Sequence, residues 1–148
     1  MKLETPRDLF VHEMSAMRTG EAVIADMLRH HQQETQQQIA NLEQCFRAIG
    51  ATPQRVPCAA IEALRQEFRE FAGMNPSPQV LTMFALGGAL KVEHYEIAAY
   101  RGLVGKAMLM GETTCIQLLE TNLLQEEETA GKLERFTHEM GRRMLATV

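Results

Sequence analysis

The sequence lacks most of the features that identify the common functional classes of protein. It has no tryptophan, only five prolines and only three cysteines, an odd number without metal-ligand spacing. Such cysteines are typical of reduced thiols in a cytosolic protein, and none is expected at a helix start or beside a basic residue. No apolar run reaches the roughly 18 residues of a membrane span, and the opening MKLETPRDLF has no signal-peptide hydrophobic segment. We therefore expect a cytoplasmic protein that does not enter a membrane.

Basic stretches and the common catalytic motifs are missing as well. The net charge is −4 and lysine and arginine do not form a stripe, so we expect no nucleic-acid partner. There is no glycine-rich phosphate loop, no nucleophile elbow and no His-x-x-x-His zinc pair, which argues against a hydrolase or a transferase. The residues identify no small-molecule substrate and leave open whether the protein is an enzyme.

What the sequence does contain is the spacing of α-helices. Apolar residues recur three and four positions apart through most of the chain, and strand-like alternation is nearly absent. Prolines and glycines divide this pattern into helices at about 6–49, 59–72 and 78–104, with a last helix from near residue 111. The length of 148 residues and the hydrophobic share of 45% suit one all-α domain over 1–148.

The first helix is expected to be unusually long. It begins with Thr5 as N-cap and Pro6 at the first helical position, and no further proline occurs before Pro53. The apolar spacing keeps its phase throughout, which gives a helix of roughly 65 Å at 1.5 Å per residue. Gly20 is the only residue in this stretch that signals a break. An isolated glycine destabilises a helix by only about 1 kcal/mol relative to alanine, so the helix can continue through it. A continuous helix is the simpler interpretation.

Glutamates occupy positions where a helical core normally has leucine. Glu21, Glu96 and Glu126 fall within the apolar stripes, and Glu34 lies beside one of them. On the third helix the predicted stripe is Leu81, Ala85, Gly88, Val92, Glu96, Ala99 and Leu103. A carboxylate removed from water needs a cation, protons or local hydration, because its desolvation costs several kcal/mol or more. Inward-pointing glutamates from separate helical segments are how two-metal sites are built in helical bundles.

The candidate metal ligands are these four glutamates, Glu93 and one histidine. His31 lies one turn before Glu34, where it could supply a nitrogen ligand or be a hydrogen-bonded core histidine. Oxygen-rich ligation suits iron, manganese, magnesium or calcium better than zinc. The alternative is that the glutamates only set helix register. Glu96 and Glu126 would then be partly hydrated, protonated or paired with Gln38, Asn41 or Asn122.

Four segments that cover most of the chain resemble a known family. They are LFVHEM, HHQQETQQQIANLEQCFRAIGATP, KVEHYEIAAYRGLV and LLQEEETAGKL. In this order they resemble the YciE/YciF-like stress proteins of the ferritin-like superfamily. The resemblance implies a rubrerythrin-like four-helix bundle with a short extra helix, usually dimeric. It also suggests a site for two Fe or Mn ions that react with oxygen or peroxide.

The resemblance assigns ligands only in part. Rubrerythrin-like sites take a glutamate from the first helix and Glu-x-x-Glu from the third, which Glu21 and Glu93-His94-Tyr95-Glu96 match. The second and fourth helices of such sites each provide Glu-x-x-His.

Glu34 and Glu126 match these two glutamates, but Gln37 and Thr129 stand at the histidine positions. The carboxylates are thus kept while both histidines are missing. A metal-free structural or interaction bundle, a relic of the di-iron architecture, is therefore the second hypothesis.

The spacing between Glu21 and Glu34 is the other departure from the family. It is only 13 positions, and EAVIADMLRHHQQE contains no turn signal. Family members have about twice this interval, which is enough for a hairpin. A shortened hairpin should straighten into one helix, and two such chains can exchange their first halves across a dyad. We expect an intertwined homodimer in which Glu21 joins the partner's Glu34, Glu96 and Glu126.

Gel filtration with light scattering tests this expectation directly. At micromolar concentration the protein should elute as a dimer, because each chain would lack a bundle helix that only a second chain supplies. A monomeric mass would contradict helix exchange.

Overall fold

The computed structural model describes the backbone of residues 6–145 and the side chains of residues 27–143. Within this part of the chain every regular element is an α-helix. The helices are α1 (Pro6–Ala48), α2 (Ala59–Gly73), α3 (Pro78–Met110) and α4 (Thr113–Leu145). The predicted all-α class is confirmed, and four helices without a strand are consistent with a four-helix bundle. None of them, as far as they are described, combines the length and apolar character that crossing a bilayer requires.

The first helix is continuous, as its sequence predicts. α1 has 43 residues and passes through Gly20 without a break, which gives a length of roughly 65 Å. The chain divides into two compact units within this helix, Met1–Gln38 and Ile39–Val148. The second unit contains the end of α1 and all of α2, α3 and α4. A single domain over 1–148 stays a prediction.

The ends of α3 show which local signals control helix length. Ser77 is the N-cap, with its hydroxyl accepting a hydrogen bond from the Val80 N–H, and Pro78 takes the first helical position. The predicted end near residue 104 was wrong, because α3 continues to Met110 and stops at Gly111, whose φ is 72°. This left-handed conformation lets the last turn close, which glycine permits at little cost.

The core of the second unit lies where the end of α1 meets α3 and α4. Its buried residues are Cys45, Tyr100, Val104, Ala107, Cys115 and Leu119. α2 packs on the outside, where its Phe71 ring stacks on Phe84 of α3 with centroids 3.9 Å apart. Lys91 of α3 pairs with Glu67 of α2 at 2.9 Å. The short extra helix is therefore attached to α3.

The buried stripe of α3 lies one residue after the predicted one. Its members are Leu86, Glu93, Ile97, Tyr100, Val104 and Ala107. The predicted phase was wrong because glycines and alanines occur on both neighbouring stripes of α3, so that apolar spacing alone hardly separates them. The consequence for the site is direct: Glu93 is fully buried, and Glu96 lies at the edge of the buried stripe.

Leu119 and Leu124 offer a test of which face of α4 is the core. Their exposed fractions are 5% and 56%, respectively. Leu119→Ala should lower the free energy of unfolding by about 2–4 kcal/mol, since it leaves a cavity in the core, whereas Leu124→Ala should change it by less than about 0.5 kcal/mol. Urea unfolding followed by circular dichroism measures both. Equal losses would contradict this orientation of α4.

Candidate metal centre

Two glutamates from facing helices lie in the protein interior. Glu93 of α3 is 2% exposed and Glu126 of α4 is 1% exposed. Each offers a carboxylate oxygen within 4.8 Å of the other. Two negative charges at this separation, with little water between them, repel strongly. A cation bound by both carboxylates would relieve this repulsion.

Glu126 has no compensation from its neighbours. Both of its carboxylate oxygens are buried and lack a hydrogen-bond partner, and no lysine or arginine of the described residues pairs with it. A buried polar atom without a partner is uncommon in a native protein, because it loses its hydration and receives nothing in return. A bound ion, a proton or an ordered water can satisfy such an atom in the native protein.

Glu96 provides a third carboxylate at the same place. It lies one turn after Glu93 on α3 and is half-buried. Burial, and after it the charge of Glu126, raises the pKa of Glu96 to about 7. The structure thus brings together Glu93, Glu96 and Glu126, three of the six predicted ligands. In the absence of a metal, Glu96 can hold a proton near neutral pH.

A chain of hydrogen bonds lies one helical turn from Glu126. The Asn41 amide donates to the Asn122 Oδ1 at 2.7 Å, and the Asn122 amide donates to the Tyr100 hydroxyl at 3.2 Å. Burial is the main cause that raises the pKa of Tyr100, and the charges of Glu126 and Glu96 add to it. Pairing of Asn41 or Asn122 with Glu126, considered above, does not occur: the two amides bond to each other instead.

The other predicted ligands lie in the first compact unit. His31 is half-buried and its carbonyl accepts a hydrogen bond from the Thr35 hydroxyl at 2.9 Å. The Glu34 carboxylate lies 3.0 Å from the His30 Nε2 on the next turn of α1. The side chain of Glu21 is outside the described residues, so its role stays a prediction.

A contact between Cys58 and Tyr95 was not expected from the sequence. Cys58 is the N-cap residue of α2, and its thiol lies 3.4 Å from the Tyr95 hydroxyl. This hydrogen bond lowers the pKa of the exposed Cys58 thiol. The expectation that no cysteine lies at a helix start was therefore wrong: the predicted start of this helix at about residue 59 already places Cys58 directly before it. His94 is exposed and contacts Glu134 at 3.3 Å.

The raised pKa of Glu96 predicts a pH dependence of stability in the metal-free protein. The folded state holds the proton more tightly than the unfolded state, whose glutamate titrates near 4.5. The stabilisation from Glu96 is therefore complete below about pH 4.5 and is lost as the pH rises through about 7.

Substitution by glutamine isolates this contribution. Between pH 5 and pH 8 the wild-type protein should lose about 1 kcal/mol relative to Glu96→Gln, after allowance for solvent screening of this half-buried group. The exposed Glu128→Gln variant is the control and should follow the wild type. Urea unfolding at both pH values measures the effect, and parallel pH profiles for all three proteins would contradict the assignment.

Comparison with known proteins places this centre in a family context. The family model described as a domain of unknown function, DUF892, matches residues 6–146. Protein YciF of Escherichia coli (strain K12) is 28% identical over 150 residues, which cover 90% of each protein. The solved structure of YcfI from Rhodopseudomonas palustris matches with a TM-score of 0.69 and 32% identity, over 90% of this chain and 95% of that one. The resemblance to YciF-like proteins is confirmed, and the chain belongs to the DUF892 family.

Proposed function

We propose that the protein is a ferritin-like, stress-associated protein whose core binds two ions of Fe or Mn through Glu93, Glu96 and Glu126. The observation that carries this proposal is the side chain of Glu126, which is fully buried with two hydrogen-bond-free oxygens beside two other carboxylates. A divalent cation neutralises such a cluster and satisfies the orphaned oxygens at the same time. Carboxylate oxygens are hard ligands, which iron and manganese accept.

The arrangement of the α3 ligands fits a site that takes more than one ion. Glu93 and Glu96 are three residues apart, and such residues lie near each other on one side of a helix. Both side chains would then be available to hold the ions of the proposed centre. Rubrerythrin-like sites use the third helix in this way, and both glutamates are kept here.

His31 is the candidate nitrogen ligand. Both family histidine positions are altered, to Gln37 and Thr129, so a histidine from another position of α1 would restore a nitrogen donor. We propose that His31 has taken over this role, with Glu34 as a further carboxylate from the same helix.

The chemistry of the proposed centre is the handling of oxygen or peroxide. Iron or manganese, when bound, would supply the electrons. The protein's contribution is to hold the carboxylates and to exclude bulk water from Glu93 and Glu126. Before a metal binds, Glu96 can hold a proton near neutral pH, and metal binding at Glu96 would release it. The three cysteines are free thiols, which suits the cytoplasmic location that we propose.

We propose further that the site is completed by a second chain. A ferritin-like bundle takes its glutamates from four helical segments, whereas one continuous helix here replaces the first hairpin. Exchange of the first half of α1 in a homodimer would bring the partner's Glu21 to Glu96 and Glu126. This arrangement follows from hinge shortening, which is a common route to domain swapping.

The second candidate is a metal-free structural bundle. Two observations favour it: both family histidine positions lack histidine, and Asn41, Asn122 and Tyr100 form a hydrogen-bonded layer that needs no ion. The relative YcfI is also provisionally described as a structural protein. In this case Glu126 would be protonated or hydrated, and its carboxylate would contribute nothing to function.

Metal titration separates the two candidates. Isothermal titration of metal-free protein with Mn²⁺, and with Fe²⁺ under anaerobic conditions, should show binding tighter than millimolar. Glu126→Gln should weaken this binding by more than about tenfold, since loss even of a residue that only supports a ligand commonly costs that much. Glu128→Gln, an exposed change two residues away, should leave the affinity unaltered.

Thermal unfolding with the same three proteins gives an independent result. At a metal concentration about 100 times the Kd, the wild type and Glu128→Gln should gain about 2.7 kcal/mol, and Glu126→Gln should gain much less. A metal-free bundle predicts no metal effect on any of them and a Glu126→Gln variant at least as stable as the wild type. That outcome would remove the metal proposal.

Helix exchange predicts complementation between two defective chains. We expect Glu21→Gln and Glu126→Gln homodimers to have every site impaired. A heterodimer purified through two different tags should have both substitutions in one site and an intact second site, so it should bind metal with wild-type affinity at about half the wild-type stoichiometry. Without exchange, every site of the heterodimer contains one substitution and wild-type affinity does not return.

A further inference from the structure

Two of the three cysteines face each other in the core. Cys45 of α1 and Cys115 of α4 are 70 positions apart in sequence, both are buried, and both belong to the same hydrophobic cluster. The Cys115 Sγ lies 3.7 Å from the Cys45 carbonyl oxygen. Burial, followed by the hydrogen bond with Cys115, raises the pKa of Cys45 to about 11. The two thiols are therefore direct neighbours, and Cys45 is protonated at neutral pH.

Both cysteines lie where their helices are most easily opened. Cys45 is in the last turn of α1, which ends at Ala48, and Cys115 is in the first turn of α4, which begins at Thr113. An exposed loop follows α1, and a link of only two residues precedes α4. Terminal turns open at a much lower free energy than the middle of a core helix. A small oxidant can thus reach the pair without global unfolding.

We propose that Cys45 and Cys115 form a reversible disulfide when the protein meets a hydroperoxide. When the terminal turns open, one thiol loses its proton, and the resulting thiolate attacks an oxygen of the O–O bond. The O–O bond breaks, the cysteine becomes a sulfenic acid, and the departing oxygen takes up a proton and leaves as an alcohol, or as water when the oxidant is hydrogen peroxide. The second thiol then attacks the sulfenic sulfur, the S–S bond forms, and a water molecule leaves. The two thiols lose two hydrogens and two electrons, and the peroxide bond takes up both.

The disulfide would join the end of α1 to the start of α4. It closes a loop of about 70 residues. A disulfide that closes a loop of this length stabilises a protein mainly by restricting its unfolded chain. Cys58 cannot take part in the same way, because it is exposed on α2 with Tyr95 as its neighbour. The chain therefore contains its own control cysteine. The inference does not depend on metal binding.

The experiment uses the full-length, reduced protein with EDTA present. Treatment with hydrogen peroxide should remove the Cys45 and Cys115 thiols together as an intrachain disulfide, counted after denaturation, and oxidation of the exposed Cys58 is followed separately on its own peptide. Peptide mass spectrometry should find the Cys45 and Cys115 peptides joined, with the mass of two hydrogens lost. The melting temperature of the oxidised protein should rise by about 10 °C and return after reduction.

Matched variants make the outcome specific. Cys58→Ala should lose both remaining thiols under the same treatment, while Cys45→Ala and Cys115→Ala should form no intrachain disulfide. Peptide mapping of the wild type decides the question even if a core variant folds poorly. Loss of the Cys58 thiol alone, cross-links between chains, or a Cys45–Cys115 bond that forms only in urea would each overturn the proposal.

Discussion

The burial of Glu126 next to Glu93 is the constraint from which the rest of this structure follows. Removing carboxylates from water is among the most costly steps in folding, and here two of them lie within 4.8 Å of each other on facing helices. Apolar packing alone does not account for a carboxylate at position 126, because its burial has a desolvation cost that an apolar side chain does not have. The arrangement therefore makes sense when a counter-charge belongs to the native state. A metal and a shared proton are the two physical solutions.

The residues around this cluster form successive layers along α4. Cys115 and Leu119 belong to an apolar layer, Asn122 to a layer of hydrogen bonds, and Glu126 to the carboxylate layer, at intervals of three and four residues. The amide layer separates the carboxylates from the apolar core without leaving a polar atom of Asn122 unsatisfied. Because of this order, the turns of α4 around Cys115 and Leu119 pack as an apolar core, while the turn that contains Glu126 faces other carboxylates.

The continuity of the first helix is the basis of the helix exchange that we propose. A hairpin would fold back within its own chain, whereas in the proposed exchange the first half of α1 would pack in a partner's bundle. If the exchange that we propose occurs, the carboxylate site and the dimer would form together. The thiol pair at the other end of the core belongs to a single chain, so its oxidation would respond to peroxide separately from assembly.

Local signals in the sequence were sufficient to predict the helices and the burial of Glu126. Ser77 and Pro78 predicted the start of α3, the unbroken apolar phase predicted a continuous α1, and the position of Glu126 within its stripe predicted its burial. Each of these depends on neighbours within a few residues, which is the range over which caps and helical spacing act. The phase of α3 was mispredicted, because its glycines and alanines make two neighbouring stripes equally apolar.

Contacts between distant residues were decided only by the tertiary structure. Nothing near Asn122 in the sequence indicates that Asn41 and Tyr100 are its partners, and the same is true of Cys45 and Cys115. Helical periodicity places a side chain on a face, but it does not define the register between two helices, which depends on how whole surfaces interlock. The sequence by itself determined the helices and their acidic positions. The packing of α3 against α4 and the end of α1 determined which of those acids meet.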